Sequence, residues 1–496
     1  MNLPAAVCGI AIGLALVMVN SLAQALEAEP VKAWDALEWS PLRLETRITP
    51  DKVRAYKDAH DEELATIAYL FALPAFMQYR QRFQFLSYLD RSGVADPLGQ
   101  FMLLRHPATP QSPDVFPNVD TLYGAAFLEL LEQPMVLTVP DIPGRYFSLA
   151  LLDAYFYNFD YIGSRTTGQG AGAYLLVGPD WSGNVPTGID RVIRSPTGSM
   201  HIYQRIHFGG VDDIREVTRL QDHIRLTPLA RFLSPQGSTQ SPDLATYMTL
   251  NPLAVDDPLQ VLAIANRHMT QNPPPLQDRT LVATFEHLGV GPGRRVPVDE
   301  AARRLLRRGA TRAQQIMASL WLGERRSDSG WRVTAPVAGK RGGVGGVALH
   351  AMHQLRYIGI NVPAETVYLT ATNDAAGQPL TGGRRYLIHF PANELPPIQP
   401  DKHGFWSVTM YDAERSSLVV NPAKKYAVRS ADPLKFSEDG SLTLHIQPEP
   451  PGDPVLRANW LPSPGAGEIV LMLRIYLGKD DVVAGRYSPP AVHLLP

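Results

Sequence analysis

Cysteine is all but missing from this sequence: one residue, Cys8, in a chain of 496. It lies inside an apolar leader, so the mature chain would hold no disulfide, no thiolate nucleophile and no cysteine-ligated zinc. Net charge is lacking too. With 46 Lys+Arg against 48 Asp+Glu, nothing in bulk draws the chain to nucleic acid or to anionic lipid. Beyond the leader no apolar run approaches the roughly 20 residues that cross a bilayer, so no membrane span is expected after leader cleavage. Several catalytic signatures are absent as well. There is no G-x-S-x-G elbow for an α/β-hydrolase triad, and His350 and His353 lack the intervening glutamate of a zinc helix. His201 and His207 share one side of a predicted strand, but stand too far apart along it to hold one metal. Neither a metal nor a cofactor is expected.

What is present begins with that leader. Asn2 to Ala25 carries no charge, Ala5 to Val19 has the length of a signal-peptide core, and Ala23 and Ala25 supply the small residues a signal peptidase needs. Residues 1–25 therefore read as a signal peptide, and the protein as exported, to the periplasm or beyond. The basic start of such a leader is missing, which leaves an uncleaved N-terminal anchor as the alternative.

Abundant turn formers, 44 prolines and 39 glycines, favour short elements and β architecture over long bundles. Residues 26–110 read as a helical segment. Thr49 can cap, Pro50 suits the first helical position, Ile67, Leu70, Phe71 and Leu73 recur at helical spacing, and Pro74 is expected to kink or end the run. Residues 111–210 form a first β module, with strand-like runs at Met135 to Val139, Tyr146 to Leu152, Ala173 to Val177 and His201 to Phe208. Residues 211–330 turn helical, started by Asp212 and Asp257-Pro258 and stopped by Asn272-Pro273. The arginines from Arg303 to Arg312 read as a solvated helix face. Residues 331–496 return to β: Leu442, Leu444 and Ile446 alternate with polar residues, and Ile469 to Leu477 is apolar on both sides, as in a covered central strand. The expected fold is mainly β with helical additions, an α+β, multi-domain chain. Two antiparallel β modules, the C-terminal one a jelly-roll-like sandwich, are joined by a helical insert. The β edges make a homo-oligomer reasonable.

Ordered motifs carry a resemblance. Pro117-Asn118-Val119-Asp120-Thr121-Leu122-Tyr123, Val139-Pro140-Asp141, Gly144-Arg145-Tyr146 and Gly163 to Gly168 resemble the family called domain of unknown function 1254. Phe405-Trp406-Ser407, Met410-Tyr411-Asp412, Asn421-Pro422, Tyr426, Asp439-Gly440-Ser441-Leu442, Asn459-Trp460-Leu461-Pro462 and Arg474-Ile475-Tyr476 are similar to its usual partner, domain of unknown function 1214. The resemblance implies β-rich modules with helical additions and frequent export. It brings no catalytic set with it.

Two clusters invite chemistry. Asn118, Asp120, Thr121 and Tyr123 place Asp120 as a base and Tyr123 as an acid able to reach one reacting oxygen, against a capping arrangement in which they satisfy a turn. Asp153 is followed by Tyr155, Tyr157, Tyr161, Arg165 and Thr166. Aromatic faces plus a guanidinium fork suit a small amphipathic ligand with an anionic or ester group, with Asp153 as acid/base and Arg165 as anion clamp; the rival is a bracing Asp153–Arg165 ion pair. Trp406, Tyr411, Trp460 and Tyr476 read as core or as one wall of a cleft. Arg474 interrupts an apolar strand and needs a partner such as Asp412 or Asp439. Gly339 to Gly346 reads as a flexible turn. The functional expectation is an enzyme acting on a small amphipathic ester or sulfate ester. The alternative is a non-catalytic envelope protein that binds a ligand or glycan.

Overall fold

Alternating burial along the strands fixes how the layers stack. In the computed structural model, which describes residues 49–94, 97–237, 244–323, 326–334, 338–342 and 344–496, the first half contains strands β1 (Met102–Leu103), β2 (Thr121–Glu129), β3 (Met135–Val139), β4 (Phe147–Asp153), β5 (Asn158–Gly163), β6 (Gly172–Val177), β7 (Arg191–Arg194), β8 (Ser199–His207) and β9 (Arg225–Pro228). They build two sheets, β1-β2-β8-β4-β5 and β7-β6-β3-β9. Leu137, Leu149, Leu151, Leu176, Ile202 and Ile206 pack between them. The leader and Cys8 lie outside the described residues.

The second half repeats the plan. Strands β10 (Arg332–Val333), β11 (Thr366–Ala371), β12 (Tyr386–Phe390), β13 (Phe405–Asp412), β14 (Ala427–Arg429), β15 (Leu442–Gln447), β16 (Trp460–Pro462), β17 (Ile469–Tyr476) and β18 (His493–Leu494) form sheets β10-β11-β17-β13-β14 and β16-β15-β12-β18. Leu442, Leu444 and Ile446 of β15 meet Leu471, Leu473 and Ile475 of β17 in this core, so the period-two face of residues 441–447 points inward as expected. Pairing is mostly antiparallel. The exceptions are β6 with β7 and β15 with β16, both parallel. Five strands over four, with a parallel pair, differ from the antiparallel four-over-four of a jelly roll.

Helices fill the remaining layer. Pro50–Arg91 runs through Pro74 as one helix. The proline forfeits one backbone bond, yet Tyr69 to Tyr79 are buried throughout, and tertiary packing of that kind outweighs the local penalty. The chain divides into a short unit ending at Leu64 and a main unit, Ala65–Pro496; in the former, Lys52 N–H donates to the Thr49 hydroxyl at 3.4 Å, the cap expected there. Asp257 caps the helix Pro258–Gln271 through Leu259 N–H at 2.9 Å. The helix Glu300–Leu322 carries Arg307, which pairs with Asp257 at 2.9 Å. Between residues 211 and 330 the chain is not wholly helical, because β9 adds to the first sandwich beside β3. Among the described residues no helix is long and apolar enough to cross a membrane.

Candidate functional site

The two five-stranded sheets turn their second faces toward each other, and those faces are polar. On β8, Met200, Ile202 and Ile206 go to the sandwich core; His201, Tyr203, Arg205 and His207 therefore take the other side. On β17 the same alternation sends Arg474 and Tyr476 away from the apolar core. The layer between is stitched by Tyr146 against Phe405 and Tyr476, with ring centroids 5.7 and 5.2 Å apart, and by His207 against Phe405 at 4.3 Å.

Arg205 lies at the heart of this layer, 4% exposed. Its Nε donates to Tyr123 Oη at 3.3 Å, Nη1 to Asn361 Oδ1 at 3.2 Å and Nη2 to the Gly359 carbonyl at 3.3 Å. Its guanidinium lies over the Tyr123 and Tyr203 rings at 5.1 and 5.3 Å. Among the described residues no carboxylate comes within salt-bridge distance of it. Arg474 is similar: 2% exposed, it donates to Thr409 Oγ1 at 3.2 Å and to the Phe116 carbonyl at 2.9 Å. The expected partners Asp412 and Asp439 are not used. A buried guanidinium held only by neutral groups is costly.

The groups around Arg205 are also donors. Tyr123 Oη accepts from Asn118 and Arg205, Tyr476 Oη from Asn118, and Tyr368 Oη from Asn361 at 3.4 Å. None of these three phenols has an acceptor for its own proton among the described residues, and a phenol has one to give. Tyr123, Tyr203, Tyr368, Phe116 and Tyr357 all remain half-buried, so the layer opens to solvent on this side. Phe116 stands in the left-handed region at φ 49°, held there by its N–H to the Ser416 carbonyl at 2.8 Å and by its carbonyl on Arg474. Gly359 is required both by its φ of 67° and because a Cβ there would meet the Tyr203 ring at 2.2 Å; its carbonyl serves Arg205.

The residues singled out from sequence separate into three places. Asn118 and Tyr123 belong to this layer. Asn118 Oδ1 accepts from Asp120 N–H at 2.6 Å, an Asx turn, while its Nδ2 reaches Tyr123 and Tyr476. Asp120 is completely buried; it accepts from Ser407 Oγ at 2.6 Å and Arg429 Nε at 3.2 Å, which ties the first sandwich to the second. Asp153 ends β4 opposite Met200, whereas Thr121 faces His207. Seven strand residues, roughly 20 Å, thus separate the two aspartates.

Nor does Asp153 pair with Arg165. Asp153 caps its own turn through the N–H groups of Tyr155 and Tyr157, at 2.8 and 3.0 Å, and binds Arg341. Tyr157 stacks on His350 at 3.6 Å beneath that arginine, and Tyr155 Oη donates to the Asn272 carbonyl at 2.7 Å. Arg165 donates instead to Glu365 at 2.6 Å, and Tyr146 Oη to the same carboxylate at 2.8 Å. Burial raises the Glu365 pKa, while Arg165 opposes the rise. Thr166 closes its turn on the Tyr161 carbonyl at 2.8 Å. Both expected uses of Arg165 gave it a carboxylate from its own loop or a ligand; Glu365, the residue before the strand Thr366–Ala371, supplies the carboxylate from afar.

The sequence reading places Arg205 on one strand side with His201, Tyr203 and His207 but gives it no role, and it passes over Asp114. The signal for Arg205 was its alternation with Ile202 and Ile206. Asp114 is solvent-exposed at the rim, yet enough protein surrounds it that burial raises its pKa, and its charge is felt by Tyr203. His207 is held neutral, its pKa lowered to about 4 by burial. Among the described residues no three His, Asp or Glu side chains are grouped to hold a metal.

These observations define a pair of β-sandwiches enclosing a polar, tyrosine-rich layer. Residues 98–228, the first sandwich, match the family described as "Protein of unknown function (DUF1254)", and residues 365–480, most of the second, match "Protein of unknown function (DUF1214)". The two matches stand in this order along the chain, the first N-terminal and the second C-terminal. The crystal structure of the VPA0106 protein from Vibrio parahaemolyticus shares the fold: TM-score 0.67 and 21% identity, over 88% of this chain and all (100%) of that one. A crystal structure of an uncharacterized protein from Burkholderia cenocepacia aligns over 90% of this chain and 96% of its own at 12% identity, with a TM-score of 0.42. No curated protein matches the chain.

Proposed function

We propose that this protein is exported and binds a small amphipathic molecule with an anionic or ester group in the layer between the two five-stranded sheets. Arg205 is the anion clamp and the half-buried aromatics hold the apolar part. The observation that carries this reading is an enclosed guanidinium that forms no salt bridge among the described residues, beside phenols that find no acceptor among them. A ligand oxygen would supply both deficits at once.

Such a site costs stability when empty, which gives the test its signature. Arg205→Met removes an uncompensated buried charge and keeps the bulk, so the variant should be as stable as the parent or more so. In a thermal-shift panel of benzoate, hexanoate and octyl sulfate, the parent should gain about 2.7 kcal/mol when ligand stands at a hundred times Kd, and the variant nothing. Equal ligand responses in both proteins, or a variant that simply unfolds early, would sink the assignment. Catalysis is the second reading, favoured by Asp114, whose raised pKa suits an acid/base group at the rim. Turnover of p-nitrophenyl esters in the same wells, lost in Asp114→Asn while binding persists, separates an enzyme from a binder.

A further inference from the structure

We infer that the adjoining ends of the helices Glu300–Leu322 and Val344–Arg356 form a docking face for the surface of an anionic phospholipid bilayer. The inference goes beyond the ligand reading and stands without it.

The two helices finish side by side. Arg356, the last residue of the second, lays its guanidinium over the ring of Trp321, next to last in the first, at 4.7 Å. Arg332 approaches the same ring at 5.6 Å. Tyr357 packs on Trp321 with centroids 5.9 Å apart, and continues to Phe116 and Tyr368 at 6.0 and 6.2 Å. This run of rings sets the helix ends on the side where the polar layer opens to solvent.

The surface there is apolar and cationic together. Leu322, Leu355 and Ile358, chain neighbours of Trp321, Arg356 and Tyr357, are 68%, 49% and 39% exposed. Single exposed apolar residues are ordinary on a soluble protein, whereas a group of them beside a half-buried indole marks an interaction surface. Arg326 and Arg356 are exposed as well, and neither forms a salt bridge among the described residues. Arg326 stands opposite Arg332 in an antiparallel bridge, which brings a further guanidinium to the neighbourhood of Trp321. In sequence, segments 321–332 and 344–358 hold Arg325, Arg326, Arg332 and Arg356 against Glu324 and Asp328. The near balance of the whole chain conceals this local positive excess.

A bilayer meets both properties at once. Its phosphates take guanidinium groups whose stems lie along apolar surface, its acyl layer takes the leucines and the isoleucine, and an indole sits well at the boundary between the two. Contact would be peripheral, since no described helix is long and apolar enough to cross.

The probe is a vesicle of equal parts phosphatidylcholine and phosphatidylglycerol, set against phosphatidylcholine alone. The full chain should sediment with the anionic vesicles in preference, and lose that preference in about 0.5 M salt, which screens exposed charges. Arg326→Glu combined with Arg356→Glu should weaken anionic-vesicle binding at least about tenfold, and Leu322→Ser with Ile358→Ser by a similar factor. Lipids brominated near the headgroup end of their acyl chains should quench the protein's fluorescence, and Trp321→Phe should remove the part of that quenching which depends on phosphatidylglycerol. An N-terminal anchor shared by both proteins cannot mimic that difference. Equal binding of parent and charge-reversed protein overturns the inference, as does quenching unchanged by Trp321→Phe. If the arginines serve only the helix ends, charge reversal lowers the melting point and leaves vesicle binding as it was, which also overturns it. So does a parent dimer, seen by light scattering, that Leu322→Ser with Ile358→Ser converts to a monomer, because a second copy then covers the face. Benzoate stabilisation bears on the ligand reading alone, so the two fail separately.

Discussion

Acidification should destabilise this protein steeply below neutrality, and three fully buried histidines set the slope together with His207, which adds to it above its folded value of about 4. His201, His268 and His350 are buried, and burial lowers each pKa to about 3. His201 is wedged between Phe127 and Tyr203, with both centroids 4.1 Å away, and neither ring nitrogen has a hydrogen-bond partner. His268 and His350 each spend Nε2 on a carbonyl, that of Ala154 at 2.9 Å and that of Tyr155 at 2.8 Å. All three are thus neutral in the fold and protonate freely once it opens, near the ordinary histidine value of about 6.5. Because the folded pKa is the depressed one, the unfolded chain binds more protons between those limits, and stability falls as pH drops from about 6.5 toward 3. Each histidine contributes about 1.4 kcal/mol per pH unit, roughly 4 kcal/mol for the three together. Glu129 and Glu365, raised by burial, work in the opposite sense: their contribution is present below the ordinary carboxylate range and lost as pH rises through their folded values. The cleanest readout is therefore a difference. In urea unfolding between pH 6.5 and 4.5, His201→Phe, which keeps the ring stack, should lower the slope by about one histidine's share. A slope identical to the parent's would show that His201 already carries its proton in the fold.

Arg82→Met should cost about 3–5 kcal/mol of unfolding free energy, because it strands a buried carboxylate. Arg82 is fully buried; its Nη1 donates to Glu129 at 2.8 Å, and its guanidinium lies 5.4 and 5.2 Å from the Tyr79 and Tyr247 ring centres. Ser199 Oγ donates to the other Glu129 oxygen at 2.5 Å. This network joins the helix Pro50–Arg91 to β2 and β8. An apolar pair of similar volume removes both desolvation penalties, so Arg82→Met combined with Glu129→Leu should recover most of the loss. A double variant as unstable as the single one would mean that the polar network itself holds the helix in place.

The contrast with Arg205 explains what could be read from sequence. Periodicity is local, so the faces of β15 and β8 were legible: Leu442, Leu444 and Ile446 point inward, and Tyr203, Arg205 and His207 share a side. What covers a face is decided by chain far away. Asp153 and Arg165 stand close in sequence and invite pairing, yet Asp153 finds Arg341 at a separation of 188 residues and Arg165 finds Glu365 at 200. Arg474 was legible as buried and in need of partners, but its partners are a hydroxyl, a carbonyl and the Tyr411 ring, not a carboxylate. The cluster around Asn118 was read both as chemistry and as a cap. Asn118 closes the turn with Oδ1 and turns Nδ2 to the phenols, a division no residue pattern encodes.

The central claim is that the layer around Arg205 takes an anion. The most direct measurement is a crystal structure of the protein soaked with 4-bromobenzoate, with the bromine located by its anomalous signal. The account predicts a carboxylate within hydrogen-bonding distance of Arg205 and bromine among Phe116, Tyr357 and Tyr368. Bromine found only elsewhere, beside Arg165 for example, with the layer around Arg205 unchanged, would contradict it.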